Sequence, residues 1–281
     1  MSEPGAWPEG YAISRATLID ALRALAPLSS DGFILVGAQA VYLRSSQVEL
    51  PIPAYTLDGD VVVDPRKIRR PRVIADSLEA AGFALRGHNG LYHRYRAPLE
   101  HLRATEIDVF VPARFDADWN LEGYNSRDVA AVMSQAGLEL ALVDHSPMPL
   151  EAISEPRAPL VVEVAGITAL VVGKAWKLGE RHAQGPEEFS KVAKDVLDVY
   201  RLLQGSNPSQ LVIALQAIPR ERRYSETAHQ AVDYLRALCT QDGLGLSLLS
   251  TILGDGNETL IVSASLSALV DEFCSLCERH L

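Results

Sequence analysis

An α/β half carrying a mixed sheet, followed by an all-helical half, is the fold class this sequence predicts. Three observations predict it. Up to about residue 165, short β-branched runs alternate with stretches of helical apolar spacing. Beyond Gly166 only helical spacing recurs, over 167–184, 187–204, 208–217, 225–240 and 262–280. Breaks at Gly185-Pro186, Gly205, Gly243 with Gly245, and Gly254 with Gly256 separate those helices. The expected domains are therefore 1–165 and 166–281.

The first half divides as follows. Leu18, Leu22 and Leu25 give a helical period over 14–28, with Ser14 or Thr17 as a cap. Asp31-Gly32 turns into the buried strand Phe33-Ile34-Leu35-Val36, which Gly37-Ala38 ends, and Gln39 to Arg44 forms a helix. Residues 45–55, with Pro51 and Pro53, form a loop or edge segment. Asp58 to Val63 is a second strand, closed by Asp64-Pro65. Pro71 to Ala81 is helical and stops at Gly82. Residues 83–86 and 91–96 form a hairpin around His88-Asn89-Gly90, since Asn-Gly is a turn signal. Thr105 to Val111 is a third long strand, Ser126 caps a helix ending at Gly137, and Leu160 to Val164 is another short strand.

Composition narrows the class. The chain has 281 residues, about half of them hydrophobic, yet no run of about 18 apolar residues, so no membrane span is expected. Its start lacks the basic and apolar regions of a signal peptide, and three cysteines make no disulfide scaffold, so a soluble cytoplasmic protein is expected. The net charge of −10 disfavours indiscriminate nucleic-acid binding, but the charge is uneven. Between Pro65 and Arg103 nine Lys/Arg face three acids, about +6, which leaves about −16 elsewhere. This basic island is either a solvated surface or a polyanion contact.

Two acidic strands carry the chemistry. Asp58 and Asp60 stand two apart on one strand and so share a face, and Asp108 sits in the middle of a later strand. If those strands are neighbours, three carboxylates converge, and hard oxygen ligands suit Mg²⁺ or Mn²⁺. Asp58-Gly59 also fits a hairpin turn, and Asp108 also fits an exposed strand face. The strand-Gly37-Ala38-helix unit offers backbone N–H groups to a phosphate. In the second half, Lys174, Lys177 and Arg181 share one helix face, and Lys194, Asp195 and Asp198 recur on the next helix. They form either mutual salt bridges or a cationic wall for a triphosphate. Cys274-x-x-Cys277 lies in a predicted helix with no second pair, which fits core thiols.

Taken together, Val36-Gly37-Ala38-x-Ala40, Asp58-x-Asp60, Asp108, and the run Lys174, Arg181, Lys194-Asp195-x-x-Asp198-x-Tyr200 resemble the nucleotidyltransferase superfamily with the DNA polymerase β-like core. More specifically the chain is similar to the abortive-infection AbiEii branch, which includes toxins of toxin–antitoxin pairs. The resemblance covers roughly 30–205. It implies that Asp58, Asp60 and Asp108 hold Mg²⁺ and perform catalysis, and that Gly37 and Ala38 cradle the phosphates of an NTP. It further implies that Lys174, Arg181, Lys194 and Asp195 complete the nucleotide site from the helical domain. The activity implied is transfer of an NMP from an NTP to an acceptor, RNA and a tRNA end first, with a cognate antitoxin as protein partner and no membrane. Where the family has Gly-Gly or Gly-Ser and an aliphatic residue between the acids, this chain has Gly37-Ala38 and Gly59. These departures keep open a nucleotide-binding homologue impaired in catalysis, and the charge of about −16 outside the basic island keeps open a small-molecule nucleotidyltransferase.

Overall fold

The computed structural model describes residues 9–48, 56–68, 70–87, 90–94, 105–119, 130–153, 158–241 and 243–280. The chain forms two compact units. One comprises Met1–Ala40, Pro53–Gln135 and His145–Ala165, and the other Val41–Ile52, Ala136–Asp144 and Gly166–Leu281. Two short segments from before Gly166 thus belong with the helical unit.

The first unit is built on a mixed sheet. Its strands are β1 (Phe33–Val36), β2 (Asp58–Val63), β3 (Ala84–Leu85), β4 (Leu91–Arg94), β5 (Thr105–Pro112), β6 (Met133–Gln135), β7 (His145–Leu150) and β8 (Leu160–Ala165). The order is β3-β4-β5-β2-β1-β8-β7, with β6 also pairing with β5. β2 runs antiparallel to β1 and parallel to β5, and β8 runs parallel to β1. β1 is apolar throughout, and β2 and β5 become so over Val61–Val63 and Val109–Val111, as suits stretches buried on both faces.

Helix α1 (Glu9–Leu25) packs on the face that carries Gly59 and Ile107, with Leu18 against both β2 and β5. It begins five residues before the expected Ser14 cap, because Tyr11 and Ala12 are already part of the buried face. Ser14 and Thr17 are not caps. Ser14 Oγ accepts from Gln39, and Thr17 Oγ1 donates to the Ile13 carbonyl while accepting from Thr105 Oγ1 on β5. Helix α2 (Gly37–Arg44) follows β1 without a loop, and α3 (Arg72–Ala80) ends just before Gly82, whose φ is +84°. The expected hairpin is present as β3 and β4, while its His88-Asn89 tip lies outside the described residues.

One expectation in this unit is corrected, and one strand had not been expected. The helix begun at Ser126 has its first part outside the described residues, but its end is not helical: Met133–Gln135 pairs in parallel with Phe110, Val111 and Pro112. β4 covers only the first half of β5, so the second half would present bare backbone N–H and C=O groups; β6 satisfies them. β7 had no strand signal because of Pro147 and Pro149. It lies at the end of the strand order, where a missing N–H costs no ladder bond on the outer side.

The second unit contains α4 (Ile167–Gln184), α5 (Phe189–Gln204), α6 (Pro208–Ala217), α7 (Arg222–Cys239), α8 (Leu244–Leu248), α9 (Ser250–Leu253) and α10 (Asn257–His280). α4 packs on α5 and α7, and α10 packs on α6 and α7. Gly179 lets the Tyr234 ring lie against the α4 backbone, and Trp176 meets Tyr234 edge-on while donating its indole N–H to the Thr227 carbonyl at 2.9 Å. Asn207 caps α6 through the Ser209 N–H, with Pro208 at the first helical position. Cys239, Cys274 and Cys277 are buried free thiols, pushed up by burial to about 12, 11 and 12. They stay protonated and unreactive at neutral pH, as the core reading of the Cys-x-x-Cys spacing expected. By length and composition α10 is apolar enough to cross a membrane, and one third of its apolar window is buried.

Candidate functional site: an acidic face beside a glycine turn

Register decides which side chains meet. β2 and β5 pair as Asp58 with Glu106 and Asp60 with Asp108. Laterally paired residues of parallel strands project to the same face. The expectation that Asp108 lies on the strand next to Asp58 and Asp60 is therefore met, with Asp60 and Asp108 directly opposite each other. The same register adds a carboxylate that the sequence reading missed, Glu106 beside Asp58. On the next strand His93 pairs with Glu106 and Leu91 with Asp108. Asp58 is exposed, and Asp60, Glu106 and Asp108 are half-buried. Arg86, in the turn between β3 and β4, reaches Glu106 at 2.7 Å.

The glycine turn adjoins this face directly. β1 ends at Val36, which pairs with Asp60, and the next residue, Gly37, has φ +66°. A Cβ on Gly37 would lie 1.7 Å from Asp60 Oδ2 and 2.5 Å from its Cγ. The Asp60 carboxyl thus rests on the Gly37 backbone, and only glycine fits both the conformation and the space. α2 opens at this residue, so its first N–H groups emerge beside Asp60.

Gly59, between the two acids, points the other way. A Cβ there would lie 2.9 Å from both Leu18 Cδ1 and Ile107 Cδ1. Its smallness serves the close seat of α1 on β2, on the face opposite the carboxylates. The departure from an aliphatic residue is a packing feature and carries no information about catalysis.

Could these residues hold the divalent ion that the resemblance implies? Among the described residues no group of three or more His, Cys, Asp or Glu is arranged to hold a metal by itself. The donor chemistry nevertheless fits Mg²⁺, which takes one or two carboxylates and completes its shell with substrate phosphates and water. The juxtaposed pair Asp60 and Asp108 matches that demand, with Asp58 on the same face.

The remaining predicted site residues belong to the helical unit. Lys174 Nζ bonds Asp195 Oδ1 at 2.8 Å and Asp198 Oδ2 at 2.6 Å, and Arg181 pairs with the other oxygen of Asp195. Lys174, Asp195 and Asp198 are each buried. Burial alone would lower the Lys174 pKa, but the two carboxylates overcome it and hold the ammonium charged. For Asp195, burial would raise the pKa, and Lys174, Arg181 and Lys177 reverse that to leave it below its ordinary value. Asp198 stays above its ordinary value because burial outweighs Lys174. Of the two readings of these charges, the structure shows the salt-bridged one. Lys194 is exposed on α5.

The basic island is also largely paired. Of its six described cations, five reach acids: Arg66 with Asp64, Lys67 with Asp31, Arg72 with Asp76, Arg86 with Glu106 and Arg94 with Asp20. Four of those acids lie outside the island, so the sequence count overstated its free positive charge. No protein-family model, curated protein or solved structure matches this chain.

Proposed function

We propose that this chain is a Mg²⁺-dependent nucleotidyltransferase of the DNA polymerase β-like superfamily, of the AbiEii type, acting as the toxin of a toxin–antitoxin pair. The observation that carries the reading is the junction of Asp60, Asp108 and Gly37: two carboxylates opposite each other in register, one of them against a glycine that opens a helix. Asp60 and Asp108, with Asp58 on their face, would hold the ion, which when bound neutralises the triphosphate and polarises its α-phosphorus. The N–H groups of Gly37 and Ala38 receive phosphate oxygens at the positive end of α2. Asp108 accepts the proton of the acceptor hydroxyl as that oxygen bonds to the α-phosphorus. The bond to the β-phosphate breaks, and pyrophosphate leaves. Lys174, Arg181 and Asp195 are assigned to the helical unit's own charge network, and Lys194 stands exposed on α5.

The acceptor in this reading is RNA, with a tRNA end first. The island's more exposed bridges, Lys67–Asp31, Arg72–Asp76 and Arg86–Glu106, are each worth about 0–1 kcal/mol, which a polyphosphate backbone can displace. The same pairing favours a second reading, an amine-bearing small molecule as acceptor, because so many island cations already have partners. Incubation of the protein with Mg²⁺ and α-labelled NTP, with tRNA or with aminoglycoside-type amines, separates them. Labelled RNA supports the first acceptor and a labelled amine the second. Label transferred to neither, or equally well by Asp58→Ala, overturns the enzyme reading.

A further inference from the structure

The Asp58 peptide is held by side chains where the sheet gives out. β1 ends opposite Asp60, so Asp58 has a strand partner on β5 but none on β1. Its carbonyl accepts from Gln39 Nε2 at 3.1 Å, and its N–H donates to Thr56 Oγ1 at 3.3 Å. Gln39 is the third residue of α2, two positions after Gly37, and is 1% exposed. Its other interactions are fully specified. Nε2 also donates to Ser14 Oγ at 3.0 Å, and Oε1 accepts from Arg15 Nε at 2.6 Å. Arg15 in turn donates to the Tyr11 hydroxyl at 2.5 Å and lies over the Tyr11 ring.

This arrangement fixes three elements by one side chain. Both Nε2 hydrogens are used, and the amide oxygen is turned toward a buried guanidinium, so the amide has a single orientation. Through it the helix that begins with the glycine turn is tied to the first residue of the acidic strand, and both are tied to α1. A core amide placed only for packing would not need to reach a backbone carbonyl that lies beyond the end of β1.

We propose that Gln39 is a positioning residue for the site: it stands in for the missing β1 partner and sets the distance between the Asp58/Asp60 carboxylates and the Gly37-Ala38 N–H groups. The inference rests on the nucleotidyl-transfer reading of that site. It concerns geometry within the first unit only, and it makes kcat more sensitive to Gln39 than either folding or nucleotide affinity.

The test uses the full chain with Gln39→Glu and Gln39→Asn. Glutamate keeps a strong partner for Arg15 and so keeps α1 and α2 together, but it has no hydrogen to give Asp58. Asparagine keeps the amide but is one methylene short. Wild type is measured first for transfer of labelled NMP and for the Mn²⁺ electron-spin-resonance change on adding a non-hydrolysable NTP. If wild type shows neither, the nucleotidyl-transfer reading itself has failed. With an active wild type, the expected result for whichever variant folds is a loss of kcat on the order of tenfold to a hundredfold, the scale that an ångström of misplacement produces. KM for NTP should stay within about threefold, since phosphate binding is not what is lost. The bound-Mn²⁺ spectrum should broaden relative to wild type. A folded variant with wild-type kcat and spectrum, or one whose loss lies wholly in KM, overturns the positioning role while leaving the enzyme reading intact. Loss of folding in both variants also overturns it, because Gln39 is then a stability residue.

Discussion

Gly37 is the residue at which backbone and chemistry constrain each other most tightly. Its φ of +66° and the 1.7 Å approach of a Cβ to Asp60 Oδ2 add two separate penalties to any substitution. Gly37→Ala should cost about 1–3 kcal/mol in chemical denaturation and abolish transfer, because relief requires Asp60 to move. Gly59→Ala meets the δ-methyls of Leu18 and Ile107 at 2.9 Å and Leu18 Cβ at 3.3 Å, so it should fold with a loss of about 1–3 kcal/mol and keep its activity. In the helical unit, Asp195→Asn leaves Arg181 without its main partner and Lys174 with Asp198 alone. A loss of about 3 kcal/mol is expected from breaking such a buried pair. Because the folded Asp195 pKa is depressed, its contribution is present above the ordinary carboxylate value and disappears as pH falls through the folded value. The stability gap between wild type and Asp195→Asn should therefore close in acid. Asp198 acts with the opposite sign: its folded pKa is raised, so the stability linked to it grows as pH falls through that value. Unfolding curves of Asp195→Asn and Asp198→Asn beside wild type across pH 3–7 check both signs, and parallel curves would contradict them.

At the scale of elements, what sequence could and could not disclose follows from which partner each segment has. β1, β2, β5, β8 and the helices α3 to α6 were legible because their own residue pattern satisfies them: apolar runs for strands, apolar period and glycine ends for helices. β6 and β7 were not, since each is a strand by virtue of its neighbour. Residues 133–135 cover the part of the β5 edge that β4 leaves bare, and His145–Leu150 tolerates Pro147 and Pro149 only at the end of the strand order. The site divided along the same line. Asp58, Asp60 and Asp108 could be read from i, i+2 spacing and strand chemistry, whereas Glu106 depends on a register that no local pattern encodes. Gln39 was hidden as well, because a glutamine in a helix gives no sign of reaching a carbonyl 19 residues on. In the helical unit α10 buries Val262, Leu266, Val270 and Phe273 along one stripe. Phe273→Ala should cost about 3–5 kcal/mol by thermal or denaturant unfolding. A loss under 1 kcal/mol would mean that the stripe is not part of that unit's core.

At the scale of the whole molecule, the ion pairs among the described residues balance much of the charge locally. A net −10 chain with a +6 segment looks polarised as a string, yet five island cations meet acids, and the buried lysine of the helical unit meets two. Against this paired background the β2–β5 face concentrates Asp58, Asp60, Glu106 and Asp108, with Arg86 set against Glu106. In the proposed function, this face would gain stability from a divalent cation and its phosphates. The most direct test is calorimetric titration of Mn²⁺ with a non-hydrolysable NTP into wild type, Asp60→Asn and Asp108→Asn, each confirmed folded. The account predicts saturable binding by wild type that weakens at least about tenfold, or 1.4 kcal/mol, in each variant. Binding of equal strength in all three, or none in wild type, would contradict it.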